Sequence, residues 1–165
     1  SPPPPPAIPA AGVSVVSGVD GSLVHCLVPG DEQLVAVPFP AADSAEELIA
    51  LQCCLPDTSG RQSCVRWIPA LGNNEAGCVS GFRDGVRPHT YAEGAARCAA
   101  LGVEHNDGVP YTLCDNDCRN LGCGYNAFPV FTSLPCKAEI PEAGVQVVDG
   151  ATGELVKCLR QGEDD

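Results

Sequence analysis

The sequence lacks methionine altogether and contains few aromatic residues, with one Trp, three Tyr and four Phe among 165 residues. Nine Lys and Arg stand against 21 Asp and Glu, giving a formal net charge of −12, and the basic residues form no run. A nucleic-acid interface needs a basic patch, so the composition argues against nucleic acid as a partner. No apolar run approaches the roughly 20 residues of a bilayer-crossing helix, so no membrane span is expected.

The sequence also lacks the short motifs of common catalytic sites, such as G-x-S-x-G, H-E-x-x-H or a phosphate-binding loop. Its histidines are better explained as surface residues than as catalytic bases. They are His25, His89 and His105. Asn106-Asp107 and Asp115-Asn116-Asp117 offer oxygen ligands for Ca²⁺, but the EF-hand pattern is not met and Asx turns explain these residues. We therefore expect no enzyme activity, no metal site and no cofactor.

Cysteine, in contrast, is plentiful and spread along the chain. Spread cysteines in an acidic, turn-rich chain predict disulfides in an oxidising compartment, and the absence of a signal peptide is what a mature secreted chain shows. A reduced zinc protein is the alternative, but the one local cluster, Cys114-x3-Cys118-x4-Cys123, fits no standard zinc spacing. Eleven is an odd number, so one thiol is free or pairs with another chain. The cysteines are Cys26, Cys53, Cys54, Cys64, Cys78, Cys98, Cys114, Cys118, Cys123, Cys136 and Cys158.

One stretch of the sequence occurs twice. Residues 8–33 and residues 140–165 align at an offset of 132 without a gap, and 14 of the 26 aligned positions are identical. Each copy reads as a β-hairpin, with strands predicted in the first copy at 13–17 and 22–28 around a Gly18–Gly21 turn. Each copy also brings one cysteine, Cys26 or Cys158, that can staple it to the rest of the domain. Self-similarity of this kind indicates two equivalent structural units.

The rest of the sequence predicts short elements between turns, since 18 Gly and 16 Pro favour them over long helices. We predict a third strand at 33–39 that completes a meander, a short helix from Asp43 with a Ser44/Glu47 capping box, and a longer helix from Thr90 to Gly102 with Cys98 facing the core. Adjacent Cys53 and Cys54 cannot readily bond each other, so each should reach a different partner.

These elements predict a β-rich α+β fold, a disulfide-stapled domain of short antiparallel strands with one or two short helices. The expected organisation is a proline-rich arm (1–12), the first hairpin repeat with a third strand (13–39), a cysteine-rich core (40–139) and the second hairpin repeat (140–165). We also expect the two hairpins to form one β layer or sandwich. The arm begins with Ser1 and five prolines, which predict a polyproline II rod.

The opening SPPPPP resembles the Ser–Pro repeats of extensins and other hydroxyproline-rich glycoproteins of plant and green-algal cell walls. That resemblance implies hydroxylated prolines carrying short glycans. The implied glycosylation candidates are Ser1, Pro2, Pro3, Pro4, Pro5 and Pro6. The chain has no Asn-x-Ser/Thr sequon, so the arm is where attached sugar is expected.

The middle of the chain resembles a cysteine-rich module of secreted algal and protist surface proteins. The resemblance is carried by Cys53-Cys54, Cys64-Val65-Arg66, the helix with Tyr91-Ala92-Glu93 and Cys98, Gly122-Cys123-Gly124-Tyr125, and Val130-Phe131-Thr132-Ser133. The same residues are similar to C-type lectin and Link domains, but the Glu-Pro-Asn and Trp-Asn-Asp sugar motifs are absent. The resemblance therefore implies the fold and an extracellular setting without a calcium-dependent sugar site.

We expect a secreted structural glycoprotein subunit that self-assembles head to tail into an extracellular filament or wall. The expected joint is β-strand addition, in which the arm, from Ser1 to about Val16, lies in a groove of the next copy and makes main-chain hydrogen bonds there. Copies of the chain and attached glycans would be its partners. The arm residues expected at this joint are Ser1, Pro2, Pro3, Pro4, Pro5, Pro6, Ile8, Val13 and Val15. The alternative is a lectin-like, carbohydrate-binding extracellular module with a pocket near Trp67 or Tyr125.

Overall fold

A computed structural model describes residues 6–40, 45–136, 145–148, 151 and 155–159. Within these residues the chain forms ten short strands and one α-helix. The strands are β1 (Val13–Ser17), β2 (Leu23–Leu27), β3 (Ala36–Pro38), β4 (Glu46–Leu48), β5 (Cys53–Cys54), β6 (Cys64–Val65), β7 (Thr112–Leu113), β8 (Pro129–Phe131), β9 (Val145–Val148) and β10 (Leu155–Leu159). The helix α1 covers Tyr91–His105, and the predicted capping residue Ser44 lies outside the described residues.

The first hairpin forms as predicted, but its third strand comes from the far end of the core. β1 lies in the middle of a sheet of order β2-β1-β8, antiparallel to both neighbours, and all five of its residues are buried. The predicted meander is wrong, because β3 pairs with β4 instead. In the described part of the chain, β9 and β10 form a two-stranded sheet that is not hydrogen-bonded to the sheet of the first hairpin.

The helix predicted from Asp43 is a strand, β4, followed by an extended run. Four consecutive residues, from Ile49 to Gln52, are fully buried. A short helix at the surface would expose one face of such a run, whereas an extended segment between two elements can bury every side chain. Its amides are satisfied outside any helix, since Ile49 N–H donates to the Val35 carbonyl and Ala50 N–H to that of Pro129.

Disulfides tie a small sheet of order β6-β5-β7 to the helix and to the following loop. Cys53 bonds Cys98 on α1, and its neighbour Cys54 bonds Cys114. The prediction that adjacent cysteines reach different partners is confirmed, as is the burial of Cys98. Two further bonds, Cys64–Cys118 and Cys78–Cys123, hold the loop after β7 against the middle of the chain.

The helix α1 starts where the sequence predicts and ends three residues later. Asn106 caps its C-terminus, so Gly102 does not end it. Gly102 serves a close approach instead, because a Cβ there would lie 2.1 Å from the Tyr111 amide nitrogen. The glycine thus lets the helix pack directly against the backbone that leads into β7.

We expect Thr90→Ala to lower the free energy of unfolding by about 1 kcal/mol, since it removes one half of a helix capping box. Thr90 Oγ1 accepts from the Glu93 amide at 3.2 Å, and Glu93 Oε2 accepts from the Thr90 amide at 2.9 Å. Urea titration followed by circular dichroism measures the change. Thr58→Ala, in an exposed loop, is the matched control and should leave the urea midpoint unchanged. Equal midpoints for both variants would contradict the capping role.

The core gathers the buried faces of β1, β8, the Ile49–Gln52 run and α1 into one apolar cluster. The result is a small strand-rich domain with one helix and five disulfides, which confirms the predicted disulfide-stapled α+β fold. Among the described residues, no helix combines the length and the apolar character that crossing a bilayer requires.

Candidate assembly site

The first hairpin is locked to the end of the core by a disulfide and by main-chain contacts. Cys26 on β2 bonds Cys136, which follows β8 by five residues. Ser14 N–H donates to the Leu134 carbonyl at 2.8 Å, and the Thr132 hydroxyl donates to the Ser14 carbonyl at 2.6 Å. The hairpin, β8 and Cys136 thus form one structural unit, and Cys26 staples the first repeat to the core as the sequence predicts.

A buried arginine fixes the turn end of this hairpin. The Arg66 side chain is 1% exposed, and its guanidinium lies 5.6 Å from the centre of the Tyr125 ring. Burial lowers the pKa of Arg66 to about 10, so the group still carries its charge at neutral pH. Its five nitrogen–oxygen contacts join segments far apart in the sequence. The acceptors are the carbonyls of Gly18 (3.3 Å), Asp117 (2.8 Å) and Gly122 (3.4 Å) and the side-chain oxygens of Gln52 (3.3 Å) and Asn126 (2.9 Å).

Tyr125 is fully buried beside Arg66 and satisfies two backbone groups. Its hydroxyl donates to the Gly81 carbonyl at 2.6 Å and accepts from the Ser80 amide at 2.7 Å. Burial raises the pKa of the Tyr125 phenol well above its usual value. The ring therefore stabilises the interior of the domain, and it does not offer a surface on which a sugar could stack.

We expect Tyr125→Phe to lower the free energy of unfolding by about 1–3 kcal/mol at neutral pH, because it leaves two buried backbone groups without a partner. Above pH 10 the difference in free energy of unfolding between the wild type and the variant narrows. The phenol ionises in the unfolded wild type but keeps its proton in the folded one, so the wild type loses stability as the pH rises. The variant has no phenol at this position and does not lose it. Tyr91→Phe, on a half-buried ring, is the control. Urea titrations at pH 7 and pH 10.5 measure both effects, and an unchanged midpoint at pH 7 would refute the role.

A surface groove of about 530 Å³ lies at the turn end of the first hairpin. Its walls are largely apolar, and Val19 and Leu23 are 53% and 59% exposed beside it. Phe39 supplies an aromatic ring and Pro40 continues the apolar wall, while Asn126 and the Ser17 and Ser22 hydroxyls supply polar groups. A narrow apolar groove with an aromatic residue and a few polar groups is typical of sites that bind an extended, proline-rich segment.

The N-terminal arm enters the domain at the other end of the same hairpin. Val13 at the start of β1 pairs with Leu27 at the end of β2, and the Gly12 amide closes a turn on the Pro9 carbonyl at 2.8 Å. A five-residue strand is roughly 17 Å long, and this length separates the arm's entry from the groove. Pro6 and Ala7 are exposed at the entry.

The second hairpin repeats the backbone pairing of the first, position for position. In both, the register skips one residue on the second strand, at Val24 in β2 and at the equivalent Val156 in β10. The first hairpin pairs Val13↔Leu27, Ser14↔Cys26, Val15↔His25 and Val16↔Leu23, and the second pairs Val145↔Leu159, Gln146↔Cys158, Val147↔Lys157 and Val148↔Leu155. Each number in the second set exceeds its counterpart by 132. Among the described residues, however, β9 has β10 as its one neighbouring strand, whereas β1 also has β8.

The structure divides the predicted arm residues into two groups. Ile8, Val13 and Val15 are buried in the core of their own chain, 5%, 2% and 0% exposed, so within one protomer they complete its fold. Pro6 is exposed, and the predicted residues before it, Ser1, Pro2, Pro3, Pro4 and Pro5, lie outside the described residues. The segment that can extend from the domain therefore ends near Ala7, and the expected boundary at Val16 is too long.

The other candidate residues have local structural roles. His89 is half-buried, burial lowers its pKa, and its Nδ1 lies 3.1 Å from the Arg87 carbonyl oxygen. The Asn116 side chain accepts from the Cys118 amide at 2.9 Å, and Asp117 pairs with Arg119 at 2.9 Å. These are Asx-turn and ion-pair contacts. Trp67 is half-buried against Gly122, where a Cβ would lie 2.8 Å from its ring.

Sequence reasoning missed Arg66 and the groove. Each depends on residues separated by about a hundred positions, such as Val19 and Asn126 in the groove wall, and no local pattern signals their approach. The one available signal for Arg66 is its place in the mostly apolar run Cys64–Ile68, because a run of that length and composition is typical of a buried strand.

The five disulfides account for ten of the eleven cysteines, and Cys158 is the one that remains. The members of the local cluster, Cys114, Cys118 and Cys123, bond three different partners. The chain is thus a small disulfide-stapled domain of the kind that is compatible with an extracellular setting. Comparison of the sequence with family models and with curated proteins, and of the fold with solved structures, found no match.

Proposed function

We propose that this protein is a secreted structural subunit that assembles head to tail, with the proline-rich arm of one copy lying in the groove of the next. The observation that carries the proposal is the position of the two surfaces. The arm leaves the domain at the Gly12 end of the first hairpin, and the groove lies at the Gly18 end. A contact between different surfaces at opposite ends is heterologous, and such contacts make filaments when they do not close into a ring.

The chemistry of the two surfaces is complementary. Residues 2–6 are all proline, so the arm has no amide donors there and cannot add to a sheet edge as an ordinary strand. A polyproline II rod instead presents ring faces and free carbonyls, which suit the apolar walls of the groove and the side-chain amide of Asn126, which has a second N–H besides the one donated to Asn120. At about 3.1 Å per residue, a polyproline II segment from Ser1 to Ala7 would extend roughly 20 Å. The rod loses little conformational entropy on binding because its φ angles are already fixed.

The disulfides and the proline-rich arm support an extracellular location. Five disulfides fit an oxidising compartment, and hydroxylation with short glycans on Pro2 to Pro6 would make the subunit a glycoprotein. Mass spectrometry of the N-terminal peptide from native material tests the modification. Unmodified prolines would remove the glycoprotein part of the proposal and leave the arm–groove joint untouched.

The joint itself is tested by comparing three chains in light scattering and negative-stain microscopy. The wild type should form filaments, whereas deletion of residues 1–6 and the groove variant Leu23→Asp should each leave monomers. Leu71→Asp is the matched control, because Leu71 is an exposed leucine, 43% accessible, outside the groove. A synthetic SPPPPPA peptide should bind the wild type, fail to bind Leu23→Asp, and shorten the filaments.

Two results would overturn the proposal. One is a wild type that stays a monodisperse monomer at all concentrations, and the other is unchanged filaments from the arm-deleted chain. The alternative, a carbohydrate-binding module, predicts glycan-array binding that the arm deletion does not affect. Its expected aromatic platform at Tyr125 is buried, so sugar binding would have to use another surface.

A further inference from the structure

The first hairpin belongs to a unit of three parts, namely the hairpin, the strand β8 and a disulfide, and the second hairpin repeats the hairpin part. In the first sheet, β1 and β2 are completed by β8 and by a disulfide to Cys136. β9 and β10 repeat the pairing of β1 and β2, including the skipped residue, and β10 carries Cys158 where β2 carries Cys26. Two components lack a counterpart among the described residues: a third strand beside β9, and a cysteine that would pair with Cys158.

The first sheet shows what the missing components are. β8 lies beside β1 through Val15↔Phe131 and Val16↔Val130, so the same strand placed beside β9 would meet Val147 and Val148. Both valines are identical in the two copies. At the next position, Ser14 corresponds to Gln146, but two of the three hydrogen bonds of Ser14 to the core use its main-chain N–H and carbonyl, and any residue keeps those. In its main-chain hydrogen bonding, β9 can therefore pair with β8 as well as β1 does.

We propose that the second hairpin receives β8 and Cys136 from a second copy of this chain, which forms an interchain Cys136–Cys158 disulfide. The proposal rests on the self-assembly proposed above and names a covalent joint between copies. In the copy that gives up its first hairpin, this joint replaces the arm–groove contact, because that hairpin forms one wall of the groove. The second copy gives up its own first hairpin at β8 and takes the neighbour's second hairpin instead, as in a strand swap. The contacts that β8 loses with β1 and gains with the neighbour's β9 are largely the same. We therefore expect the swap to change the free energy little.

The covalent step balances without an added oxidant. The Cys158 thiolate attacks the Cys136 sulfur of the second copy, the Cys136–Cys158 bond forms and the Cys26–Cys136 bond breaks. Cys26 leaves as a thiolate and takes up the proton that Cys158 released. The number of disulfides stays constant, and the thiol moves from the second hairpin of one copy to the first hairpin of the other.

Peptide mapping of a mixture of ¹⁴N- and ¹⁵N-labelled chains tests the joint. After incubation at mildly alkaline pH, non-reducing digestion should yield Cys136–Cys158 peptides in which the two halves carry different labels. Cys26→Ser leaves Cys136 and Cys158 both as thiols, so this variant is incubated with oxidised glutathione as the oxidant. Its yield should then rise several-fold, because Cys136 has lost Cys26, its disulfide partner in its own chain. Cys158→Ser should abolish the linked peptide.

A variant that keeps the thiol separates hairpin docking from simple thiol reactivity. Gln146→Pro leaves Cys158 in place but removes the main-chain amide that corresponds to Ser14 N–H, which donates to the Leu134 carbonyl beside β8. It should lower the yield to the background of Cys158→Ser. The proposal is overturned by an unchanged yield from Gln146→Pro, by linked peptides that always carry a single label, or by no linked peptide in Cys26→Ser incubated with oxidised glutathione. Filaments that form without the link overturn this joint alone, and links in the arm-deleted chain would support it even where the arm–groove joint fails.

Discussion

The double variant Cys26→Ser/Cys136→Ser unfolds with a free energy about 2–5 kcal/mol lower than that of the wild type. The expected loss is large, because the bond joins residues 110 positions apart and closes the longest of the five disulfide loops. In the chain-entropy description, releasing a longer loop returns more freedom to the unfolded state. The bond also packs against Gly12, where a Cβ would lie 2.8 Å from both sulfurs, so serine at these sites leaves space as well.

Cys158→Ser is the matched control, since it removes a cysteine without removing any of the five bonds. Its urea midpoint should equal that of the wild type, while the midpoint of the double variant falls at a similar or larger m-value. The measurement is urea denaturation followed by Trp67 fluorescence under non-reducing conditions. A double variant with the wild-type midpoint would show that the hairpin is held to the core by its strand contacts alone.

Arg66→Met lowers the free energy of unfolding by about 3–5 kcal/mol, the second large effect. Methionine fills much of the same volume but leaves the carbonyls of Gly18, Asp117 and Gly122 without donors. The Gln52 side-chain oxygen also loses its donor, whereas the Asn126 oxygen still accepts from the Asn120 amide. Unpaired buried acceptors are costly, and several of them lie around one side chain here. Arg66→Lys should recover less than half of the loss, because a single ammonium group cannot reach acceptors on four segments.

Arg61→Met is the control for this variant, because Arg61 is exposed and, within the described part of the chain, its side chain makes a single hydrogen bond, to the Arg119 carbonyl. The control should change stability by no more than about 0.5 kcal/mol. A second readout is structural, since loss of Arg66 frees the Gly18 turn and should broaden the amide signals of Val19 and Leu23 at the groove. An Arg66→Met protein with wild-type stability would mean that water replaces the guanidinium at little cost.

The parts of the fold that depend on near neighbours in sequence could be predicted. The helix start rests on Thr90 and Glu93, three residues apart, and the sequence shows both. The hairpin strands follow from alternating valines around a glycine-rich turn, and their second copy was visible as an alignment. The adjacent Cys53 and Cys54 required separate partners on geometric grounds, and the structure supplies Cys98 and Cys114.

The parts that depend on distant residues could not be predicted. Periodicity does not distinguish an amphipathic helix from a fully buried run when the run is as short as Ile49–Gln52, and neighbours from β8 decide the outcome. The third strand of the first sheet comes from more than a hundred residues away, and no sequence pattern near Val13 predicts this pairing. The groove likewise needs the hairpin turn and the loop at Asn126 to meet, which is a property of the folded chain.

The offset of 132 residues has a consequence for the shape of any polymer. If each joint repeats the geometry of the first sheet, the joint itself adds no freedom, and the rise and rotation from one subunit to the next are set by the segment between Cys136 and Val145. The helical pitch then depends on this segment, whereas the stability of the interface depends on the paired strands. Insertion or deletion of single residues in that segment would change the helical pitch of a fibre while leaving the interface between its subunits the same.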